Sequence, residues 1–294
     1  MTMRSLLFVP GDSERKLEKA LGSESDVLII DLEDSVSPDN KAASRQIAAT
    51  FLKSGRARTR AQLYVRVNDL ASGLTDKDLA GIMDARPDGI VLPKAEDGGD
   101  VAHLATALRV HEAENGIEDG RTRILPIITE TAMGVLNASS YRGASERLSG
   151  LTWGAEDLSA DIGALAARNE DGSYTPLFQF ARSMTLLAAA AAGVPAIDTV
   201  FPNFSDTDAF ERDCQLAARD GFVAKMAIHP RQIASINATF TPSADEIEKA
   251  RTVVEAFAAA GNAGVVNVGG RMYDRPHLAL AERVLARAGE ASSR

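Results

Sequence analysis

The sequence is short of cysteine. Among 294 residues only Cys214 carries a thiol, so no disulfide can close within the chain, and a cytoplasmic enzyme is expected. Cys214 falls in a helix-like stretch, DTDAFERDCQLAARD, with no activating neighbour, which favours packing over nucleophilic chemistry. Long apolar runs are also missing. Leu6–Val9 stops at Pro10 and Gly11, too early for the apolar core of a secretory signal. The longest run, from Met184 to Ile197, is broken by Gly193 and Pro195 and falls short of the ~20 residues that cross a bilayer. It reads as a close-packed core helix, and no membrane partner is expected. Positive charge is scarce, with 32 Lys and Arg against 41 Asp and Glu for a net charge of -9. A nucleic-acid partner would need a basic surface, although a local Arg and Lys cluster suffices for a small anion. The four histidines form no H-x-H or H-E-x-x-H pair, which argues against zinc. There is no G-x-S-x-G elbow, no P-loop and no glycine-rich dinucleotide loop after the first apolar run.

What is present is an alternation of short apolar runs with helix-like stretches. Strands are expected at 5–9, 27–31, 63–67, 89–92, 124–128, 151–153, 197–201 and 222–228. Helices are expected between them, among others at 14–21, 41–53, 101–114, 178–192 and 206–219. Eight strands with helical crossovers predict an α/β fold, a (β/α)8 TIM barrel. The barrel is assigned to residues 1–240. Residues 241–294 are extra to it: a helix over 243–260, a glycine-rich stretch AGNAGVVNVGGRMYDRP, and a helix over 276–288. They read as a C-terminal helical arm or lid.

The residues that can carry chemistry cluster after the expected strands, where such barrels keep their active sites. Glu130 follows the fifth strand, and Glu156 and Asp157 follow the sixth. Two carboxylates on different strands can hold one hard cation, with water and substrate oxygens in the remaining positions. The competing account makes each of them a helix cap. After the first strand, Arg15 and Lys19 share a helix face behind Ser13, an arrangement suited to phosphate or to a solvated face offset by Glu14 and Glu18. After the second strand, Asp31, Glu33 and Asp34 crowd together. Like charges so close need cations or a metal, and Lys41 and Arg45, four apart, are the expected partners. Arg66 lies within the third strand, where it either pairs with Asp31 or Glu33 or clamps an anionic substrate. Lys94 follows the fourth strand, but nothing nearby lowers its pKa for Schiff-base chemistry. His229, after the last strand in KMAIHP, lies at the catalytic face by topology.

The segments LLFVPGDSERKLEKA, DVLIIDLEDSV with KAASR, YVRVN, GIVLPKAE, PIITETAMGVLN, LTWGAEDLSADIG, KMAIHPRQI and GGRMYDRPH together resemble the citrate lyase beta-subunit-like family, which includes malyl-CoA and citramalyl-CoA lyases. They follow the family's order and span about residues 4–280. The resemblance implies Mg2+ on Glu130 and Asp157, and contact of Arg66 with the small-acid part of the substrate. It places Arg15 and Lys19 near the CoA phosphates. Lys41, Arg45, Ile228 and His229 complete the positions assigned to the CoA ester. It further implies that Asp274, in the M-x-D motif, acts as acid/base in a neighbouring subunit's site, within a homotrimer or hexamer. The residue between Met272 and Asp274 is Tyr273 where Ile is usual, and Gly269 stands where Asp is common. The implied reaction is reversible cleavage of a short β-hydroxyacyl-CoA to acetyl-CoA and a 2-oxo acid. Malyl-CoA thioesterase, a citrate lyase beta subunit acting on an acyl-carrier protein, a non-catalytic CoA-ester binding protein and a metal-dependent aldolase for free keto acids are the other readings.

Overall fold

The computed structural model describes residues 3–261 and 263–290. They divide into two compact units, 3–237 and 238–290. In the first, strands and helices alternate as β1 (Ser5–Pro10), α1 (Glu14–Ala20), β2 (Val27–Asp31), α2 (Lys41–Gly55), β3 (Gln62–Arg66), α3 (Thr75–Ile82), β4 (Gly89–Leu92) and α4 (Gly98–Glu114). The series continues with β5 (Arg123–Pro126), α5 (Ala132–Leu136), β6 (Leu151–Thr152), α6 (Ala155–Ile162), α7 (Pro176–Ala192), β7 (Ala196–Asp198), α8 (Thr207–Asp220) and β8 (Ala224–Ala227). Helix α9 (Ile233–Phe240) runs across the boundary between the units.

The eight strands are parallel and ordered β5-β4-β3-β2-β1-β8-β7-β6. Parallel bridges Ile124↔Leu148 and Ile127↔Thr152 join β5 to the segment around β6, and the Ile128 N–H donates to the Thr152 carbonyl at 2.9 Å. The sheet is therefore a nearly closed (β/α)8 barrel. Its interior follows the two-residue period of a strand. Val27 and Ile29, Leu125 and Ile127, and Ala224 and Met226 join Leu6, Tyr64, Val91 and Ile197 in one buried cluster. The same alternation brings Asp31 two residues after Ile29, and Arg66 two after Tyr64. Inward-facing positions thus turn from apolar to charged at the strand ends. Gly89 is paired with Tyr64, and a Cβ there would lie 2.5 Å from the Tyr64 ring.

Several strands end sooner than their apolar runs predict. The ladder of β7 stops at Asp198 and that of β8 at Ala227, yet Thr199, Val200 and Ile228 continue into the cavity wall. Apolarity reports a place in the wall rather than a place in the ladder, and these residues line the cavity without strand pairing.

In the second unit, α10 (Ala244–Ala259) starts at a capping box. Ser243 Oγ accepts from the Glu246 N–H at 3.3 Å, and Glu246 Oε2 accepts from the Ser243 N–H at 2.8 Å. The glycine-rich stretch, expected only as helix-poor, forms an antiparallel hairpin of β9 (Val265–Val268) and β10 (Arg271–Asp274). Gly269 and Gly270 turn it at φ 57° and 81°, the two positive angles that a tight hairpin needs. The hairpin thus lies between two helices, as the helix-poor stretch between the expected helices allowed; α11 (Arg275–Arg287) follows it. Asn262 of that stretch lies outside the described residues. Phe257, Val266, Ala281 and Leu285 share the unit's small core. Among the described residues no helix is long and apolar enough to cross a membrane.

Candidate active site

A cavity of about 420 Å³ opens at the C-terminal ends of the barrel strands. Phe8, Ile127, Val200 and Met226 form apolar parts of its lining, and Asp31, Asp34, Arg66, Glu130, Glu156 and Asp157 bring charge to it. The two carboxylates singled out from sequence share this cavity. Glu130 is buried and its Oε2 accepts from the Lys94 N–H at 2.5 Å. Gly154 makes room for it, since a Cβ there would sit 2.6 Å from Glu130 Cγ. Burial first, and the Asp157 charge second, push the Glu130 carboxyl well above its usual pKa. Asp157 is half-buried in the first turn of α6.

Arg66 is held from two sides. Its Nε and Nη2 donate to Asp31 at 2.7 and 2.8 Å, a bidentate pair. Its Nη1 lies 3.0 Å from Glu33 and 3.5 Å from Asp34. Asp31 in turn accepts from the N–H groups of Glu33 and Ser35. Burial pushes the Asp31 carboxyl up, but Arg66 and those N–H groups outweigh it and hold the carboxyl below its usual value. Glu33 lacks that support, and burial raises it to about 7 despite Arg66 and Lys94. The Lys94 ammonium pairs with Glu33 and reaches Asp157 at 3.3 Å and Asp34 at 3.7 Å. Burial lowers its pKa, but Glu33, and then the charges of Glu130 and Asp157, outweigh it and raise the pKa, the opposite of what a Schiff-base lysine needs. Five carboxylates, Asp31, Glu33, Asp34, Glu130 and Asp157, face two cations, Arg66 and Lys94. That excess of hard oxygen donors suits a divalent cation. Among the described residues no three His, Cys, Asp or Glu side chains form a ready-made cluster, so water and ligand oxygens would fill the rest of its shell, as they commonly do for Mg2+.

Of the partners expected for the acids after β2, Arg66 pairs with Asp31 and Glu33, whereas Lys41 and Arg45 do not meet their carboxylates. Lys41 Nζ donates to the backbone carbonyls of Leu32 and Glu33, both at 2.8 Å. Arg45 Nε pairs with the buried Asp78 at 2.7 Å, and Asp78 also accepts from Asn68. These contacts brace the loop that carries Glu33 and Asp34, whose cations are Arg66 and Lys94. The sequence offered no cue that Lys94 would reach back across two strands.

Arg15 and Lys19 are exposed on α1. Their expected screen is partly absent, because Glu18 pairs with Arg58 at 2.7 Å. Ile228 is 41% exposed and lines the cavity. His229 stacks on Phe204 with ring centroids 4.6 Å apart, and its Nδ1 accepts from the Arg231 N–H at 3.1 Å. Burial, then Arg231 and Lys19, lower its pKa. Asp274 belongs to the second unit. It caps α11, and its Oδ1 lies 2.5 Å from His277 Nδ1.

Comparison with known proteins adds the decisive observation: the profile of the HpcH/HpaI aldolase/citrate lyase family matches residues 4–230. The chain belongs to that family. Citrate lyase subunit beta of Leuconostoc mesenteroides subsp. cremoris is 34% identical over 284 residues, covering 96% of this chain and 92% of its own. The (3S)-malyl-CoA thioesterase of Cereibacter sphaeroides (strain ATCC 17023) is also 34% identical, over 292 residues, with 97% and 94% covered. Among solved structures, CitE of Mycobacterium tuberculosis in complex with magnesium, acetoacetate and coenzyme A superposes with a TM-score of 0.74. It is 32% identical, and the match covers 98% of this chain and 99% of that one. This chain is therefore a member of a lyase and thioesterase family of enzymes, on the barrel that its CitE relative shares.

Proposed function

We propose that this protein is a Mg2+-dependent carbon–carbon lyase that cleaves a short β-hydroxyacyl-CoA, such as malyl-CoA or citramalyl-CoA, to acetyl-CoA and a 2-oxo acid. The observation that carries the reading is the meeting of Glu130, Asp157 and Arg66 in one cavity at the strand ends. Mg2+ fits the excess of carboxylate oxygens there, and the CitE relative holds magnesium together with a small oxo acid and CoA. Glu130 and Asp157 would hold the ion, which supplies Lewis-acid polarisation of the acid's oxygens.

The chain's own residues do the rest. Asp31 holds the Arg66 guanidinium bidentately, so that Arg66 stabilises negative charge on the acid oxygens as the hydroxyl proton passes to solvent water and the carbon–carbon bond breaks. Asp274, from a neighbouring subunit of a homotrimer or hexamer, protonates the acetyl-CoA enolate carbon; in the reverse direction it removes a methyl proton. Arg15 and Lys19 bind the CoA phosphates, and Ile228 and His229 border the thioester. Lys41 and Arg45 serve the ester indirectly, through the loop they brace. The single cysteine agrees with a cytoplasmic location.

A thioesterase reading has its own support, since the Cereibacter enzyme is as similar as the citrate lyase subunit. Turnover of malyl-CoA, citramalyl-CoA and β-methylmalyl-CoA with Mg2+, following both free thiol and oxo acid, separates the readings. Oxo acid without free thiol marks the lyase. Thiol with the hydroxy acid intact marks the thioesterase. Failure of all three substrates would turn attention to an acyl-carrier-protein thioester.

A further inference from the structure

Lys94 follows β4 with a φ of 50°, a left-handed conformation that a non-glycine residue keeps only when its surroundings impose it. What the conformation achieves is visible at both ends of the residue. The backbone N–H points at Glu130 Oε2, 2.5 Å away. The side chain runs to Glu33 and on to Asp157 at 3.3 Å. One strained residue thus grips both carboxylates of the candidate metal site, although it does not itself line the cavity.

We propose that Lys94 is the positioning residue of the metal site: its N–H aims Glu130, and its ammonium is a resident counter-cation that holds Asp157 and Glu33 in place and that the metal must compete with. The inference rests on the assignment of Mg2+ to Glu130 and Asp157. Without the ammonium, Glu33, Asp34, Glu130 and Asp157 would be left with one edge of Arg66 for compensation. With it, an arriving divalent ion meets a like charge within a few ångströms. The site is thereby ordered before the metal arrives, and binds it less tightly than its carboxylates alone would.

The test is Mg2+ affinity measured by titration calorimetry on the substrate-free protein, together with the rise in Tm on adding Mg2+. Lys94→Gln should bind Mg2+ about tenfold more tightly and show a larger Mg2+-induced rise in Tm, while turnover falls because Asp157 is no longer held. Lys94→Arg, which keeps the charge, should stay within about threefold of the wild type. Unchanged or weaker Mg2+ binding in Lys94→Gln overturns the proposal. Should that variant not fold, Glu33→Gln provides the complement. It leaves the ammonium to Asp157, so Mg2+ should bind about tenfold more weakly, and an unchanged affinity again overturns the proposal. A wild-type protein that binds no Mg2+, or binds it equally well as Glu130→Gln, removes the metal assignment itself. Mg2+ binding that needs Glu130 but ignores Lys94 removes only the counter-cation.

Discussion

At the scale of single residues, the site depends on atoms that are missing as much as on those present. Gly154 matters because a Cβ at that position would press on Glu130 Cγ at 2.6 Å. Gly154→Ala should displace the Glu130 carboxylate, and small displacements of positioned groups cost up to about 10²-fold in rate. We expect turnover to fall by at least about tenfold, with Tm close to that of the wild type; steady-state kinetics beside a melting curve checks both. Asp274→Asn tests the acid/base assignment. Loss of a positioned proton donor should lower kcat by about 10² to 10⁴ while Mg2+ affinity stays unchanged, and an unaltered kcat would remove Asp274 from the mechanism.

Elements carry the next set of constraints. β3 and β4 meet where the Tyr64 ring covers Gly89. Gly89→Ala should therefore cost about 1–3 kcal/mol through overpacking, and trimming the ring in the Tyr64→Leu, Gly89→Ala double variant should recover part of that in urea unfolding. Behind β5, a buried network joins α4 to the segment before β6. Arg147 donates bidentately to Glu112 at 2.8 and 2.7 Å, and Glu112 also accepts from the N–H groups of Thr122 and Gly120. Burial pushes the Glu112 carboxyl up, but Arg147 and the two N–H groups outweigh it and hold it below the usual value. A depressed folded pKa contributes stability that is complete above the ordinary glutamate pKa, about 4.3. That contribution is lost as pH falls through the folded value. Glu112→Gln should flatten the acid side of the stability–pH curve below about pH 5, as denaturant midpoints across pH would register. Arg147→Met leaves Glu112 buried without its partner and should cost about 3–5 kcal/mol.

At the scale of the whole molecule, the two units hold different parts of the proposed machinery. Glu130, Asp157 and Arg66 belong to residues 3–237, and Asp274 to residues 238–290. If each site joins one subunit's barrel to its neighbour's Asp274, two inactive variants should complement each other. Equal amounts of Glu130→Gln and Asp274→Asn, mixed and reassembled, should regain roughly a quarter of wild-type activity, since about one site in four pairs intact halves. No recovery after verified subunit exchange would place Asp274 in its own chain's site.

The sequence by itself determined the barrel and the positions of its acids. Eight apolar runs separated by amphipathic stretches have few ways to bury their faces, and a carboxylate just past a strand end lies at the mouth wherever the strand closes. It also marked Glu130, Asp157 and Arg66, because charge placed against an apolar period is conspicuous. Only the tertiary structure decided which charges meet. Lys41 and Arg45 stand eight and twelve residues after Glu33 in sequence, yet the cations that face Glu33 are Arg66 and Lys94, brought there from β3 and from the loop after β4. The left-handed turn at Lys94 and the hairpin before Asp274 were equally hidden. Local composition limits what a residue can do, but the curvature of a closing sheet sets which side chains share a space too small for unbalanced charge.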